Sequence, residues 1–340
     1  MARIREILLF LLCTSVGAAT VHGQDYKSYQ SYDFVPGDKI IFEDDFGSDR
    51  DGEFPAHWKL LSGQGAVNKV AGAPALSMTE GNYAKVEPRI KTSSYLAETF
   101  TVEFDFFPKA GGSEKLIVFL KSGDDEGQVV FGSETSLEGV DNPLSGRYPG
   151  ESDAFTNKWH HAALVFKGRQ LKVYEDQYRV LVVPEVDKLK PTSVSFGGIA
   201  DAEFPLLLRN VRIANGGGMT MLDRLTKDGR IVTHGILFDV NKSVVKPESM
   251  GTIREIEALL KADPALKLEV GGHTDSDGDV AKNVTLSQAR ADAVAKVLVE
   301  LGVDASRLSA KGYGAAKPID SNASPEGKAN NRRVEFTKGS

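Results

Sequence analysis

Asp275 and Arg290, in the last third of the chain, are the two residues whose types and spacing best suit ligand binding. Asp275 follows the alternating run Leu266–Val270, which has the period of a half-buried strand, and Arg290 lies on a later stretch of helical periodicity. A carboxylate attracts an ammonium group, and a guanidinium can bind a carboxylate through two parallel hydrogen bonds. The pair therefore predicts a site for a ligand that carries both an ammonium and a carboxylate.

The element that must position Arg290 is a helix. Thr285 and Gln288 have the spacing of a capping box, which predicts that the helix starts there and that Arg290 lies near its positively polarised end. Gly302 follows where a left-handed residue would end the helix. The buried face is predicted to consist of Leu286, Ala289, Ala293, Val297 and Leu301.

This part of the chain resembles the OmpA-like peptidoglycan-binding domain. The shared motifs, in order, are GHTDSDGD (272–279), Asn283, LSQARA (286–291), KGYG (311–314) and NRRVEF (331–336). The resemblance covers roughly the last third of the chain, and separated motifs agree in both order and spacing. It implies an α+β fold for residues 231–340, with β-α-β-α-β-β order and helices layered on one sheet.

The apolar pattern of residues 231–340 predicts the same order of elements. A helix beginning at Pro247 is expected between the first two strands, and a polar loop, Asn322–Asn331, between the last two. The expected strands are Ile231–Asp239, Leu266–Val270, Leu308–Tyr313 and Arg332–Phe336.

The resemblance also implies a partner and its site residues. Asp275 and Arg290 would hold the zwitterionic end of meso-diaminopimelate in the stem peptide of peptidoglycan. Loss of either residue is expected to cost several kcal/mol of binding, because its partner would be left unpaired. Four further residues would line the pocket through side-chain or backbone hydrogen bonds: Asp239, Thr274, Asn283 and Arg332.

No catalytic residue, cofactor or metal ligand is predicted. The acidic run Asp275–Asp279 lacks the spacing and the final glutamate of an EF-hand, and no nucleophile-elbow or phosphate-loop pattern is present. His273 is interpreted as bracing the turn that follows its strand. The acidic clusters at 49–53 and 124–126 are interpreted as exposed turns, with calcium loops as the alternative.

Composition and the first residues indicate the compartment. The 340-residue chain has a net charge of −6 and no basic tract, which argues against nucleic-acid binding. Residues 1–23 are interpreted as a signal peptide, with Arg3 and Arg5 before a short apolar run. Cys13, the only cysteine, lies within it, and Leu12 before it disfavours the alternative of a lipoprotein acylation site. We expect an exported protein of a Gram-negative periplasm, associated with the cell wall or outer membrane.

Residues 39–215 predict an all-β domain, preceded by a leader at 24–38 and followed by a linker at 216–230. Short runs rich in Val, Ile, Phe and Tyr recur between turn residues, a pattern typical of an antiparallel sandwich. Three segments resemble the concanavalin-like jelly roll or laminin-G-like sandwich: FEDDF…FPAHW (42–58), KWHHAALVFKGRQLKVYEDQ (158–177) and LLLRNVRIA (206–214). That resemblance implies a surface that recognises a glycan or an envelope protein.

Three alternatives for this domain stay open, and one of them is a purely structural spacer. A wall-localised glycoside hydrolase could use the strand motif E-x-D-x-x-E, but Pro108 stands where the second glutamate should follow Glu103 and Asp105. We therefore interpret both acids as part of a solvated sheet face. A transmembrane barrel would need alternating segments of about 9–11 residues, whereas the expected strands are shorter. His160 and His161 lack cysteine or acid partners at metal-ligand spacing.

Overall fold

The computed structural model describes residues 32–111, 115–150, 155–216 and 221–339. The predicted signal peptide at 1–23 lies outside the described residues, and so does the first part of the predicted leader, residues 24–31. None of the helices in the described ranges is long and apolar enough to cross a bilayer.

The N-terminal part of the described chain forms one 13-stranded antiparallel sheet. In chain order its strands are β1 (Lys39–Asp44), β2 (Trp58–Val70), β3 (Ala73–Pro88), β4 (Thr99–Phe106), β5 (Lys115–Ser122), β6 (Asp125–Phe131), β7 (Glu134–Glu138), β8 (Leu144–Arg147), β9 (His160–Lys167), β10 (Gln170–Glu175), β11 (Tyr178–Val183), β12 (Ser193–Ile199) and β13 (Leu206–Asn215). The sheet runs β11-β10-β9-β4-β13-β3-β12-β5-β6-β7-β8, with β1 beside β13 and β2 beside β3. The predicted all-β antiparallel class is confirmed, and the jelly-roll identity stays a prediction.

Two strands are much longer than predicted. The sequence pattern predicts separate short strands at Trp58–Leu61, Ala66–Val70, Ala75–Met78 and Tyr83–Pro88. β2 spans the first two of these, and β3 spans the last two. The expectation of short strands was wrong here because the apolar pattern breaks at Ser62–Gly65, while backbone pairing with β3 continues through register shifts. β7 and β8 were not predicted, since their sequences ETSLE and LSGR contain few apolar residues.

The sheet curls until its two edge strands approach each other. A Cβ atom at Gly146 of β8 would overlap the carbonyl oxygen of Val180 in β11, so only glycine allows this approach. The enclosed core is rich in aromatic rings that pack edge to face. The ring of Phe196 lies 5.6 Å, centroid to centroid, from both Trp58 and Phe104.

Both faces of β4 are buried. Its inward residues Phe100, Val102, Phe104 and Phe106 belong to the core of the sheet. On the outer face Glu103 is 4% exposed, and the Asp105 side chain is 13% exposed. The expected solvated face was wrong, because Ala163 of β9 and Tyr174 of β10, on the same outer face, pack with apolar residues of the C-terminal domain.

The C-terminal part is a four-stranded sheet covered by helices. After β13 the elements are α1 (Met221–Lys227), β14 (Arg230–Thr233), α2 (Met250–Ala262), β15 (Leu268–His273), α3 (Val280–Glu300), β16 (Leu308–Gly314), α4 (Pro325–Asn331) and β17 (Val334–Lys338). The sheet order is β14-β17-β15-β16, with β15 and β16 parallel and the other described pairs antiparallel. The predicted β-α-β-α-β-β order is present, but α4 occupies much of the expected loop Asn322–Asn331.

β14 is shorter than the predicted strand Ile231–Asp239 and ends at Thr233. Beyond Thr233 the chain passes closely against α2, since a Cβ atom at Gly235 would overlap the Thr252 hydroxyl of that helix. Phe238 then makes an isolated bridge to Val245. The intervening loop, residues 239–244, therefore lies outside the sheet.

Part of the predicted leader is built into the fold. Tyr32 and Phe34 are buried, and each ring centroid lies 5.5 Å from that of Tyr174 in β10. Both residues belong to the apolar cluster that contains the core of the C-terminal domain. Residues 32–38 are therefore more than a connection, because their aromatic side chains fill the space between the two domains.

The two domains also meet where α4 lies against β1. The side-chain amide of Asn330 accepts a hydrogen bond from the backbone N–H of Ile40 at 2.9 Å and donates one to its carbonyl at 3.0 Å. This amide bracket lies at an irregularity in β1 between Ile40 and Phe42. Ile40, Ala214 and Ala329 form a small apolar cluster beside it.

Candidate ligand-binding site

α3 starts earlier than predicted, at Val280. Asp279 is its N-cap, since its Oδ1 atom accepts a hydrogen bond from the backbone N–H of Lys282 at 2.9 Å. Arg290 therefore lies about three turns into the helix. The expected help from the helix N-terminus was wrong, because the dipole acts mainly on groups in the first turn.

The predicted capping box lies inside α3 instead of at its start. Thr285 donates its hydroxyl to the carbonyl of Ala281 at 3.0 Å, which is a bond within the helix. Gln288 accepts a hydrogen bond from the backbone N–H of Gly312 at 2.8 Å and so ties α3 to β16. The predicted end of the helix is confirmed, because Gly302 adopts a φ of +97° there.

The end of β15 carries Thr274 and Asp275, as predicted. Asp275 is 9% exposed. Its Oδ2 atom accepts a hydrogen bond from Arg332 Nη1 at 2.7 Å, and Oδ1 accepts one from the backbone N–H of Asp277 at 3.1 Å. Thr274 donates its hydroxyl to the carbonyl of Asp275 at 2.8 Å. The carboxylate is thus fixed in place, and each oxygen retains capacity to accept another hydrogen bond.

Asn283 holds the loop that follows Asp275. Its side-chain amide donates to the carbonyl of Asp277 at 2.8 Å and, more weakly, to that of Asp275 at 3.4 Å. Thr274 and Asn283 therefore fix the backbone on either side of the carboxylate. In this arrangement their role is to position Asp275.

Arg290 is held by backbone carbonyls. Its Nε atom donates to the carbonyl of Lys242 at 3.0 Å, and Nη2 donates to that of Asp239 at 3.3 Å. The guanidinium lies 4.8 Å from the ring centre of Phe238. Among the described residues, Arg290 Nη1 has no hydrogen-bond partner, so it remains available to an anionic group.

Asp239 contributes to this arrangement through its carbonyl. Its carboxylate pairs with Lys242 Nζ at 2.9 Å, and 53% of the side chain is exposed. That contact lowers the pKa of Asp239. Asp239 thus lies beside Arg290, and the atom that reaches it belongs to the main chain. That Asp239 lines a ligand pocket stays a prediction.

Asp275 and Arg290 have separate partners but share one electrostatic neighbourhood. Burial lowers the pKa of Arg290, the positive charge of Arg332 lowers it further, and the negative charge of Asp275 raises it. The three charged groups are therefore close enough to sense one another. A ligand with groups of both signs would find a carboxylate and a guanidinium on adjoining elements, β15 and α3.

Glu43 is the residue of this site that sequence reasoning missed. Arg332 Nη2 bonds Glu43 of β1, while Nη1 bonds Asp275. Glu43 also accepts two hydrogen bonds from Arg212 of β13, at 2.6 Å from Nη2 and 2.8 Å from Nε. Burial raises the pKa of Glu43, but the charges and hydrogen bonds of Arg212 and Arg332 lower it to about 2.

His273 plays a packing role beside the site. Its ring stacks on Tyr313 at a centroid distance of 5.0 Å, and neither ring nitrogen has a hydrogen-bond partner within the described chain. Burial lowers the pKa of His273 to about 4. The neutral ring thus supports the end of β15, in line with its interpretation as a brace.

The two histidines of β9 do have acidic partners, which sequence spacing did not reveal. His160 Nδ1 lies 2.8 Å from Asp176 Oδ2, and His161 Nδ1 lies 2.9 Å from Asp105 Oδ1. His161 Nε2 lies 3.8 Å from Glu103 Oε2. Within the described ranges, no group of three or more His, Cys, Asp or Glu residues is arranged to hold a metal ion.

A separate cavity of about 340 Å³ lies beside α1 and β14. Its lining residues are Asp38, Arg224, Asp228, Arg230 and Val232. Two acids and two arginines balance in charge there, and none of the six predicted site residues takes part. This cavity is therefore distinct from the neighbourhood of Asp275 and Arg290.

Comparison with known proteins identifies the region that contains the site. Residues 237–332 match the sequence model of the OmpA family. These residues form an OmpA-like domain. All six predicted site residues of the OmpA-like domain, from Asp239 to Arg332, lie within the matched range.

Two curated proteins illustrate the extent of the similarity. Outer membrane porin F of Pseudomonas fluorescens is 50% identical over 100 residues, which are 29% of this chain and 31% of that protein. The probable lipoprotein YiaD of Escherichia coli K12 is 45% identical over 104 residues, which are 31% of this chain and 48% of that protein. The chain thus spans less than half the length of each.

Among solved structures, the peptidoglycan-associated lipoprotein from Burkholderia pseudomallei is similar to this chain. It is 28% identical, and the match covers 31% of this chain and 88% of that one, with a TM-score of 0.29.

Proposed function

We propose that the OmpA-like domain attaches this protein non-covalently to peptidoglycan, with Asp275 and Arg290 holding the zwitterionic end of meso-diaminopimelate in the stem peptide. The observation that carries the proposal is a fixed carboxylate and a fixed guanidinium with an unpaired Nη1, on adjoining elements of a segment that matches the OmpA family. Porin F and YiaD, named as an outer membrane porin and a lipoprotein, support a location in the cell envelope.

The chemistry follows from the two ends of the ligand. Its ammonium would bind the carboxylate of Asp275. Because that carboxylate is nearly buried, water weakens the attraction between the two charges only a little. Its carboxylate would bind Arg290, whose remaining donors are already oriented by the carbonyls of Lys242 and Asp239. A ligand without one of the two groups would leave a charge of the site unpaired, so the site selects for the zwitterion.

The other predicted site residues support these two. Thr274 and Asn283 position the loop around Asp275, and Asp239 supplies a carbonyl to Arg290. Arg332 holds Asp275 directly. No step of bond making or breaking is assigned to any of them.

For the N-terminal domain we retain the hypothesis of a recognition surface for a glycan or an envelope protein. The hydrolase alternative has no support, because Glu103 is buried and Asp105 is bonded to His161, Arg209 and Asn210. A pair of catalytic carboxylates must be open to the sugar chain between them. Neither acid meets that requirement in the docked arrangement.

Co-sedimentation with purified sacculi tests the proposed function. Asp275→Ala and Arg290→Ala are each expected to abolish pelleting of the full chain, since each removes one of the two charges that the zwitterion needs. Asp292→Ala and Lys296→Ala, at exposed positions further along α3, are matched controls and should pellet like the parent. Unchanged pelleting of both site variants would refute the assignment.

A further inference from the structure

Arg332 connects the ligand-binding site to the N-terminal sheet. One side of its guanidinium bonds Asp275 in the site, and the other side bonds Glu43 in β1. Glu43 is itself fixed by Arg212, whose Nη1 also donates to the carbonyl of His234 at 3.3 Å. A single arginine therefore belongs both to the site and to the contact between the domains.

A ligand ammonium and Arg332 would both bind the carboxylate of Asp275. An ammonium group approaching Asp275 meets a carboxylate whose Oδ2 atom is already bonded to Arg332. The Arg332 side chain is 42% exposed, and its guanidinium yields part of that bond more readily when a second anion keeps it paired. Glu43 is that anion, and its contact with Nη2 is already formed.

The negative charge of Glu43 also favours binding of an ammonium group at Asp275. A negative charge on the far side of Arg332 reduces the net positive potential that an incoming ammonium would meet near Asp275. Removing that charge would leave Arg332 with Asp275 as its sole carboxylate partner in the described chain. Both effects predict that loss of Glu43 weakens the binding of a cationic group at Asp275.

We propose that Glu43 is a positioning residue of the ligand site, supplied by the N-terminal domain, that holds Arg332 while the ligand ammonium occupies Asp275. The inference rests on the proposed function and deepens it, because it makes the site a shared property of both domains. Glu43 lies outside residues 237–332, so the OmpA-like match alone does not contain it. The effect is confined to the ammonium half of the ligand.

The test is calorimetric titration of the full chain with two tripeptides. One is L-Ala-γ-D-Glu-meso-diaminopimelate, and the other is its analogue in which the amino group of the zwitterionic end is replaced by hydrogen. Glu43→Gln is expected to weaken binding of the first by about tenfold and to leave binding of the analogue unchanged. Glu43→Asp keeps the charge but withdraws it by one methylene, so its affinity should lie between those of parent and Glu43→Gln.

The matched control is Glu87→Gln, which removes a carboxylate of the same sheet that pairs with Lys59 at 2.8 Å on the surface. It should change neither affinity. Equal tripeptide affinity of Glu43→Gln and the parent would overturn the inference, and so would equal losses for tripeptide and analogue. If Glu43→Gln unfolds, Glu43→Asp is used in its place. Its tripeptide affinity is compared with that of the parent, and its loss of affinity for the tripeptide is compared with its loss for the analogue. A parent protein that binds neither tripeptide instead overturns the proposed function, and this inference with it.

Discussion

The outer face of β4 and the end of β15 both bring acids together with arginines, but they differ in access. Around β4, Glu103 and Asp105 are enclosed where the two domains pack, with His161 and Arg212 as ionic neighbours. Around β15, Arg290 is only partly buried and retains an unpaired Nη1 among the described residues. The same residue types therefore stabilise domain packing in one place and form the proposed ligand site in the other. The two regions differ in how far solvent reaches the charged side chains and in whether those side chains have hydrogen-bonding groups left for a ligand.

The largest expected effect comes from breaking the enclosed cluster. Arg212→Ala would remove the two hydrogen bonds that Arg212 donates to Glu43 and the arginine that lies 4.0 Å from Glu103, so we expect a loss of about 3–5 kcal/mol in the free energy of unfolding. Arg290→Ala should change stability little while abolishing sacculus binding. Urea unfolding of both variants measures the difference, and equal losses would remove the distinction between the two regions.

An enclosed acid without a cation should respond to pH. Glu175 is fully buried, bonds Thr135 through Oε1 and has no partner at Oε2, and burial raises its pKa from 4.5 to about 8. The folded protein therefore binds a proton at the Glu175 carboxylate more tightly than the unfolded chain does. The stability contribution is full below pH 4.5 and is lost as the pH rises to about 8.

Glu175→Gln isolates that effect. The variant cannot ionise, so at pH 8 it should be more stable than the parent by on the order of 2 kcal/mol, with a smaller difference at pH 5. Thermal unfolding at both pH values measures it. Glu138→Gln, which changes an exposed acid on β7, the strand that carries Thr135, is the control. A stability difference that does not grow with pH would show that Glu175 is not held protonated.

The smallest expected effect concerns the element that frames the open site. Asp279→Ala removes the N-cap of α3 and should cost about 1 kcal/mol of stability. Thr285→Ala, at the position that the sequence indicated as the cap, should cost clearly less, because its hydroxyl bonds only within the helix. Chemical denaturation of the two variants compares them, and the reverse order would place the start of α3 at Thr285.

Local features of the open region could be predicted from sequence. The alternation before Thr274 located the end of β15, and Gly302 located the end of α3, because each depends on neighbouring residues. The start of α3 was misplaced since two capping patterns, at Asp279 and at Thr285, compete in the same stretch. Packing of α3 against β16 decides which of the two patterns caps the helix. The sequence around the helix start does not reveal that packing.

Features that join distant segments could not be predicted. Glu43 and Arg332 are 289 residues apart, and nothing in either local sequence indicates the other. Tyr32 and Phe34 lie in a polar stretch without periodicity, and their burial depends on a surface formed by both domains. The outer face of β4 has the alternation of a solvated strand, and only the docked second domain turns Glu103 and Asp105 into interior residues.

The amide bracket of Asn330 around Ile40 has a mechanical consequence. A wall-bound domain that is pulled away from the N-terminal sheet loads two backbone hydrogen bonds and the Glu43–Arg332 pair side by side, within one short stretch of β1. Bonds loaded in parallel share a force, so they yield together and not one after another. If the OmpA-like domain binds the cell wall as proposed, tension between the wall and the N-terminal sheet would be carried across this junction.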